Sequence, residues 1–228
     1  MASIIDSFRD VFTDRLSFLK LVVLAIPVYC SYLVYLQSKR DFTGFFWIAG
    51  ITLFFLFGFL IQITNNVLND ANTTLPSLNP FKLAFVSFKG IIALLPSILI
   101  PCLIANYVCS FINIISWLDI TLKTIIWLVV VSIITTTFLM FALKEKILDA
   151  YNMKLLSSAS GDMILTLIFF IIQIVIINIP TSAFVGYTLL ILFGTCPMFD
   201  FFLAFAIVFN VAVTGHYMAQ VHYELLGL

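Results

Sequence analysis

Charged residues are scarce in this sequence and are confined to short segments. They make up 10% of its 228 residues, whereas a soluble globular domain carries about 25%. No charged residue lies between Lys123 and Lys144 or between Asp162 and Asp200. An uncharged apolar run of about 18 residues or more predicts a membrane-spanning helix, because about 20 residues are needed to cross a hydrocarbon core of roughly 30 Å. The chain is 63% hydrophobic, which excludes a water-soluble fold and makes lipid the solvent for most of its surface.

Motifs of catalysis, metal binding and nucleic-acid binding are also missing. The 11 basic residues balance the 11 acidic ones and form no basic patch, which excludes a nucleic-acid partner. The four cysteines lie in apolar runs without a CxxC pair, as expected of small buried side chains. No HExxH, Walker, GxSxG or paired-carboxylate pattern is present, and these patterns carry the chemistry of many enzymes. The sequence therefore predicts no enzyme activity, no metal and no cofactor.

The apolar runs divide into six predicted membrane spans and one shorter segment. The segment Ala183–Thr195 has 13 residues, and as a helix it would cover only about 20 Å. Pro180 precedes this segment and Gly194–Pro197 covers its end, and both supply helix breakers. We predict that this segment is re-entrant or interfacial, and a seventh span is the alternative. The six spans cover approximately Leu16–Leu36, Phe42–Thr64, Gly90–Ile112, Thr124–Leu143, Met163–Ile179 and Met198–Val221.

Three amphipathic helices are predicted next to these spans. The first covers residues 1–15, and the third begins at Lys144. The second, Pro80–Lys89, has Lys82 and Lys89 on one face. Another face of the same helix carries Phe81, Phe85 and Phe88. We predict that such helices lie flat in the membrane interface, where the two lysines contact anionic lipid headgroups.

The distribution of basic residues predicts that both termini are cytoplasmic. With six spans, Lys39, Arg40 and Lys123 fall in outer loops, and the other eight of the 11 basic residues fall in inner segments. Cytoplasmic loops of membrane proteins carry such an excess of Lys and Arg. The eight inner residues are Arg9, Arg15, Lys20, Lys82, Lys89, Lys144, Lys146 and Lys154. The three amphipathic helices are then cytoplasmic as well.

The order of elements predicts a single polytopic domain in the cell membrane. It is built of three helical-hairpin units, at about 1–64, 65–143 and 144–228, each with an amphipathic helix, a span, a turn and a span. The predicted fold class is therefore an all-α membrane protein with six transmembrane helices and three interfacial helices.

Polar side chains inside the spans are candidate contacts between helices or along a substrate path. Hydrogen bonds between neighbouring helices are their ordinary role. His216 and His222 are six positions apart, whereas a metal-binding pair on a helix needs a spacing of three or four. Asn65, Asn66 and Asn69 follow the second span and fit turn and cap chemistry. The candidate polar contacts are Gln62, Asn106, Gln173, Asn210, His216 and Gln220.

The layout resembles a known family of membrane proteins. The second span leads into a polar stretch, then into Leu75-Pro76 and an amphipathic helix that ends at Gly90. Ala150, in the charged helix after the fourth span, and the ending HYMAQVHY are similar as well. On these residues the chain resembles domain-of-unknown-function family 4013, polytopic membrane proteins of bacteria and archaea. The resemblance implies a cell-membrane protein to which no catalytic residue can be assigned.

These observations predict an integral membrane protein that organises the membrane or binds a partner. A small-solute or lipid transporter is the alternative, because Pro96, Pro101 and Pro180 can break helices beside polar side chains. A lipid-modifying membrane enzyme is the third interpretation. The lipid bilayer is the expected partner, and protein partners and a homo-oligomer are left open. A water-accessible cavity at mid-membrane depth would favour transport, whereas a sealed apolar core would favour a scaffold.

Overall fold

The protein is a bundle of long α-helices. The computed structural model describes residues 3–13, 16–37, 43–69, 71, 73–112, 116–151, 163–168, 179–194 and 197–226, and these residues contain no strand. The helices are α1 (Ile4–Val11), α2 (Ser17–Gln37), α3 (Thr43–Leu68), α4 (Pro80–Phe111), α5 (Ser116–Lys144), α6 (Ile179–Phe193) and α7 (Pro197–Leu226). A short 3-10 helix covers Asp149–Tyr151, and residues 163–168 are helical.

Five of these helices are long and apolar enough to cross a membrane. They are α2, α3, α4, most of α5 (Trp117–Lys144) and most of α7 (Pro197–His222). The prediction of an all-α membrane protein is confirmed at this level. The remaining predicted span, Met163–Ile179, is helical over 163–168, but residues 169–178 lie outside the described residues. The count of six or seven spans therefore stays a prediction.

α3 occupies the centre of the bundle. It packs against α2, α4, α5 and α7, and Phe59, Ile61 and Ile63 on this helix have no exposed surface. The outer flank of the bundle is apolar as well, as shown by Trp47 and Leu103, which are 71% and 67% exposed. An apolar flank of this kind is stable when lipid covers it.

α3 and α4 approach each other closely at Gly58. A Cβ atom on Gly58 would meet Ser87 Oγ and the carbonyl oxygen of Leu83 in α4. Ser87 Oγ also donates a hydrogen bond to the Phe54 carbonyl of α3 at 2.6 Å. Small residues allow such close backbone contact between membrane helices. Gly50, eight residues earlier in α3, has no atom within 4 Å of a Cβ placed on it.

α4 is a single helix of 32 residues. It begins after Asn79, whose side-chain oxygen accepts a hydrogen bond from the Phe81 N–H at 3.1 Å. The helix continues through Gly90, so the prediction that a separate amphipathic helix ends there is wrong. Gly90 is a packing residue: a Cβ atom on it would lie 2.6 Å from Ile61 Cδ1 of α3. The glycine lets α4 pass close to α3 without ending the helix.

The third predicted amphipathic helix also differs from expectation. α5 ends at Lys144, and Glu145 adopts a φ of 52°. A positive φ is unfavourable for a residue with a Cβ atom and interrupts a helix. The chain then turns into the 3-10 helix Asp149–Tyr151. Residues 152–162, on which the rest of that prediction falls, lie outside the described residues.

α6 falls on the segment whose path the sequence leaves open. It ends at Gly194, which has a φ of 67° and donates its N–H to the Leu190 carbonyl at 2.8 Å. Glycine is favoured at such a left-handed helix end, so the break predicted at Gly194 is confirmed. The 15 residues of α6 extend over about 22 Å. The re-entrant path of Ala183–Thr195 stays a prediction.

Candidate functional site at the polar end of the bundle

Many of the described polar contacts lie at one end of the bundle, which we call the α1 end. It contains α1, the C-terminal parts of α3, α5 and α7, and the connection 73–79. Polar groups are costly inside the hydrocarbon region and are tolerated where water or other polar groups can bond them. Hydrogen bonds therefore hold many of the helices and the connection together at this end.

α1 packs against α7 and is part of the bundle. The rings of Phe8 and Phe209 are 5.0 Å apart in an edge-on arrangement, and Val11 is fully buried. Ile5, also in α1, is 69% exposed. The predicted interfacial helix over residues 1–15 is therefore corrected to a shorter helix docked on α7, because its apolar side chains find a protein surface.

His216 lies at the centre of the contact between α1 and α7, and it is 5% exposed. Its Nδ1 is 3.2 Å from Ser7 Oγ, and its Nε2 is 3.7 Å from Asp10 Oδ2. Gln220, one turn further along α7, places its Nε2 3.3 Å from the same Nδ1. A serine and an aspartate around one imidazole is the composition of a hydrolase triad, which raises the question of nucleophilic catalysis.

The geometry at Ser7 does not support that chemistry. Ser7 has no exposed surface, and its Oγ donates to the Ser3 carbonyl at 3.1 Å within the same helix. A nucleophile has to be reachable by its substrate. These side chains therefore join α1 to α7. Sequence reasoning missed Ser7 and Asp10, because 209 positions separate Ser7 from His216 and no motif spacing relates them.

Gln220 makes a further bond between α1 and α7. Its Oε1 accepts the backbone N–H of Ser3 at 2.8 Å, and Ser3 is the N-cap of α1. Backbone groups at a helix start have no partner inside the helix and need one elsewhere. Both predicted residues, His216 and Gln220, thus lie in one contact between helices.

Gln220→Leu is expected to loosen α1 from α7, because the Ser3 N–H loses its acceptor. A cysteine substituted for the fully buried Ser7 in a cysteine-free background should then react about fivefold faster with a water-soluble thiol reagent, as expected for the loss of about 1 kcal/mol. Gln37→Leu is the control, since Gln37 is exposed at the end of α2. Equal labelling rates in Gln220→Leu and the parent would contradict this role.

Asparagines at the end of α3 bind the C-terminal carbonyls of α5. Asn65 Nδ2 donates to the Ala142 carbonyl at 2.6 Å and to the Leu143 carbonyl at 3.1 Å. Asn69 Nδ2 donates to the Leu143 carbonyl at 3.3 Å. The last carbonyls of a helix have no intrahelical donor, and α5 ends at Lys144. The amides that the sequence assigns to turns and caps therefore cap a neighbouring helix.

The connection 73–79 is held to the α1 end by side-chain hydrogen bonds. Thr74 Oγ1 donates to the Asp10 carbonyl at 3.2 Å, and Asn66 Nδ2 donates to the Thr74 carbonyl at 3.4 Å. Lys20 Nζ donates to the Leu75 carbonyl at 3.0 Å. Leu75 itself has no exposed surface, so this connection is a packed part of the bundle.

The other predicted polar residues lie on different helices. Gln62 of α3 is 1% exposed, and within the described part of the chain neither of its side-chain polar atoms has a hydrogen-bond partner. Asn106 is exposed on α4, and Asn210 is half-buried on α7. Gln173 lies outside the described residues. Of the six candidates, His216 and Gln220 contact each other directly.

The two lysines predicted to meet headgroups have different surroundings. Lys82 is exposed in the first turn of α4. Lys89 is half-buried, and its Nζ lies 4.4 Å from the centre of the Phe85 ring, a cation–π distance. Lys82 is therefore the more accessible of the two to an anionic group.

Tyr151 is a contact that the sequence did not single out. Its hydroxyl donates to the Ala93 carbonyl of α4. Burial raises the pKa of this hydroxyl above its ordinary value of 10.0, and the backbone of Ser97 lowers it by a smaller amount. Tyr151 thus attaches the 3-10 helix to α4 as a neutral donor.

Three grooves on the flank of the bundle are lined almost entirely by apolar side chains. The first, of about 340 Å³, lies between α2, α3 and the start of α4, with Thr52 as its polar exception. The second, of about 350 Å³, lies between α2, α6 and α7, and the third, of about 630 Å³, lies between α3 and α4. Among the described residues, His, Cys, Asp and Glu form no group of three that could hold a metal ion.

Comparison with known proteins adds no relative. A search against protein-family models, curated proteins and solved structures finds no match to this chain.

Proposed function

We propose that this protein is a multi-pass protein of the cell membrane that binds a protein partner or organises the membrane, and that it catalyses no reaction. Both termini lie in the cytoplasm, so the α1 end faces that compartment. The bilayer covers the apolar flank. Membership of domain-of-unknown-function family 4013 is part of the same proposal.

The proposal rests on the hydrogen bonds that polar side chains form between helices at the α1 end. His216, Gln220 and Asn65 each form hydrogen bonds from one helix to another. Groups engaged in this way hold surfaces in place and are not available to react with a substrate. Beside them, Leu148 and Phe81 are 87% and 85% exposed. Large exposed apolar side chains next to a polar, well-bonded surface are typical of interaction sites.

Photo-crosslinking in intact cells tests the proposal. A photoreactive amino acid at Leu148 is expected to give one crosslinked product of defined mass, because that side chain would contact the partner. The same amino acid at Leu103, which is 67% exposed on the flank of α4, is the matched control and should react mainly with lipid. Identical products at both positions, or none at Leu148, would contradict a partner surface at the α1 end. A product of twice the chain mass would identify the partner as a second copy.

Reporter fusions test the orientation. Fusions after Asn72 and after Leu228 are both expected to report the cytoplasm, since eight of the 11 basic residues then lie on the inner side. A signal from outside at Leu228, with a cytoplasmic signal at Asn72, would reject six spans and favour seven.

Transport is the second candidate function, and Gln62 is the observation that favours it. A buried amide without a partner costs about 1–3 kcal/mol, and a polar solute passing along α3 would supply the missing partner. Gln62→Cys in a cysteine-free background should then react with a membrane-impermeant thiol reagent. Ala93→Cys, in the fully buried core, should not react. Protection of both cysteines would favour the non-transporting role.

A further inference from the structure

His216 takes part in the contact that holds α1 on α7, and its surroundings suit a neutral imidazole. The residue is 5% exposed, so a charge on the ring would be held away from water. Gln220 fixes the form of the ring. Its Oε1 accepts the Ser3 N–H at 2.8 Å, so its amide NH2 group faces His216 Nδ1 at 3.3 Å. Nδ1 therefore accepts a hydrogen bond, and the single proton of the ring lies on Nε2.

A second proton on the ring conflicts with the position of Gln220. A protonated Nδ1 places one N–H against another, and two donors cannot bond each other. If Gln220 turned to accept the new proton, its NH2 group would face the Ser3 N–H instead, and the bond between α7 and the start of α1 would be lost. Ser7 Oγ lies 3.2 Å from Nδ1 and has its own proton on the Ser3 carbonyl, so it can accept from the ring. The Gln220 donor then still lacks its acceptor.

The carboxylates near the ring offset only part of the cost of burying a cation. Those that act on it are Asp10 and, more weakly, Asp6, both in α1. Asp10 Oδ2 lies 3.7 Å from His216 Nε2, beyond hydrogen-bond distance. The other oxygen of the same carboxylate lies 3.2 Å from Arg9 Nε. A buried charge needs a close and well-bonded partner to recover what it loses on leaving water, so burial outweighs this attraction.

The other described elements that pack on α7 bring no negative charge to the ring. α3 and α6 have no charged residue. Lys20 of α2 and Lys144 of α5 lie at the α1 end, and both are cations, which repel a protonated imidazole. The other imidazole of α7 belongs to His222, which is 1% exposed and six positions from His216. Protonation of His216 is therefore expected to weaken the contact between α1 and α7.

We propose that α1 is a pH-sensitive element, which protonation of His216 releases from α7. A buried neutral histidine that has to become charged makes a contact sensitive to acid. An isolated helix of 8 residues is unstable in water, so the released segment is stable as a helix only where its apolar side chains enter the membrane interface. Release also uncovers the face of α7 that carries Phe209 and His216. This behaviour does not depend on a protein partner and is measured on the purified protein alone.

Thiol labelling of α1 in the purified full-length protein tests the release. Val11→Cys carries the probe, because Val11 is fully buried, and Ile5→Cys, at a position 69% exposed on the same helix, is the reference. Both are made in a cysteine-free background. Acid slows both reactions alike because the thiolate is the reactive form, so the rate for Val11→Cys is divided by the rate for Ile5→Cys. We expect this ratio to rise about five- to thirtyfold from about pH 7.5 to about pH 5, where thirtyfold is the limit set by an imidazole pKa of about 6.5 in water.

Three further variants assign the effect to His216. His216→Gln should make the labelling ratio independent of pH. His222→Gln removes the other buried imidazole of α7 and should behave like the parent. Asp10→Asn removes the carboxylate that lies 3.7 Å from the ring, so the cation is less stable in the docked state and the rise should be larger than in the parent. A purely structural role of His216 does not predict this increase.

Several outcomes would overturn the proposal. A ratio that is unchanged or falls on acidification in the parent is one, and a rise that persists in His216→Gln or disappears in His222→Gln is another. If α1 is already released from His216→Gln at neutral pH, the other two variants decide, and a smaller rise in Asp10→Asn than in the parent would refute the release by protonation.

Discussion

Gly58→Ala is expected to lower the free energy of unfolding by about 1–3 kcal/mol, the ordinary range for overpacking a tight contact. The new methyl group would meet the Leu83 carbonyl group of α4, whose carbon lies 3.1 Å from the ideal Cβ position. Backbone atoms cannot move aside as a flexible side chain can, so α3 and α4 must separate. The Ser87–Phe54 hydrogen bond, at 2.6 Å, would lengthen or break as well. The measurement is reversible unfolding of the purified protein in mixed micelles.

Gly50→Ala is the matched control for this prediction. Both glycines lie in α3, and replacing either one by alanine favours the helix by a similar amount, about 0.5–1 kcal/mol. A Cβ atom at Gly50 meets nothing within 4 Å, so this variant should be as stable as the parent or slightly more stable. Equal stabilities of the two variants would show that the α3–α4 approach at Gly58 is not tight.

Asn65→Leu should lower the free energy of unfolding by about 1–3 kcal/mol, the cost of leaving a buried acceptor without a donor. The leucine has a similar shape but no N–H, and the Ala142 and Leu143 carbonyls would lose donors at 2.6 and 3.1 Å. Ala142 is fully buried, so water cannot easily replace the amide. The loss is read from the same unfolding measurement.

Asn106→Leu separates this effect from the general effect of removing an amide. Asn106 is exposed on α4, on a helix whose flank is otherwise apolar, so a leucine there is not expected to lower stability. A second variant, Asn69→Leu, removes the longer bond of 3.3 Å to α5 and a bond of 2.9 Å to the Asn65 carbonyl. It keeps both bonds from Asn65 to α5 and should lose less stability than Asn65→Leu. If all three variants were equally stable, the capping of α5 by α3 would contribute nothing.

The helical spans were predictable because their signal is local. A run such as Thr124–Leu143 has no charge, and any segment of that length and hydropathy is stable as a helix in lipid. The prediction of helix boundaries was less accurate where packing between helices determines the structure. Gly90 has the local signature of a helix boundary, yet it lies inside α4, because the contact with Ile61 needs a residue without a side chain.

The candidate site was predictable only in part. His216 and Gln220 were recognisable as polar residues on one face of a helix, but their partners Ser7, Asp10 and Ser3 lie at the other end of the chain. No periodicity relates residues that far apart. Asn65 was recognisable as a capping residue, but the helix that it caps begins some fifty positions later.

The sequence by itself determined the helical class of this protein and the five helices that are apolar enough to cross a membrane, because both depend on the hydropathy of consecutive residues. The tertiary structure alone decided that α1 docks on α7 and that α3 caps α5. These features depend on distances between segments that are remote in sequence. Apolar side chains gain little free energy when they move from lipid into the core of the protein. Close packing at residues such as Gly58 and hydrogen bonds such as that of Asn65 therefore select the arrangement of the helices.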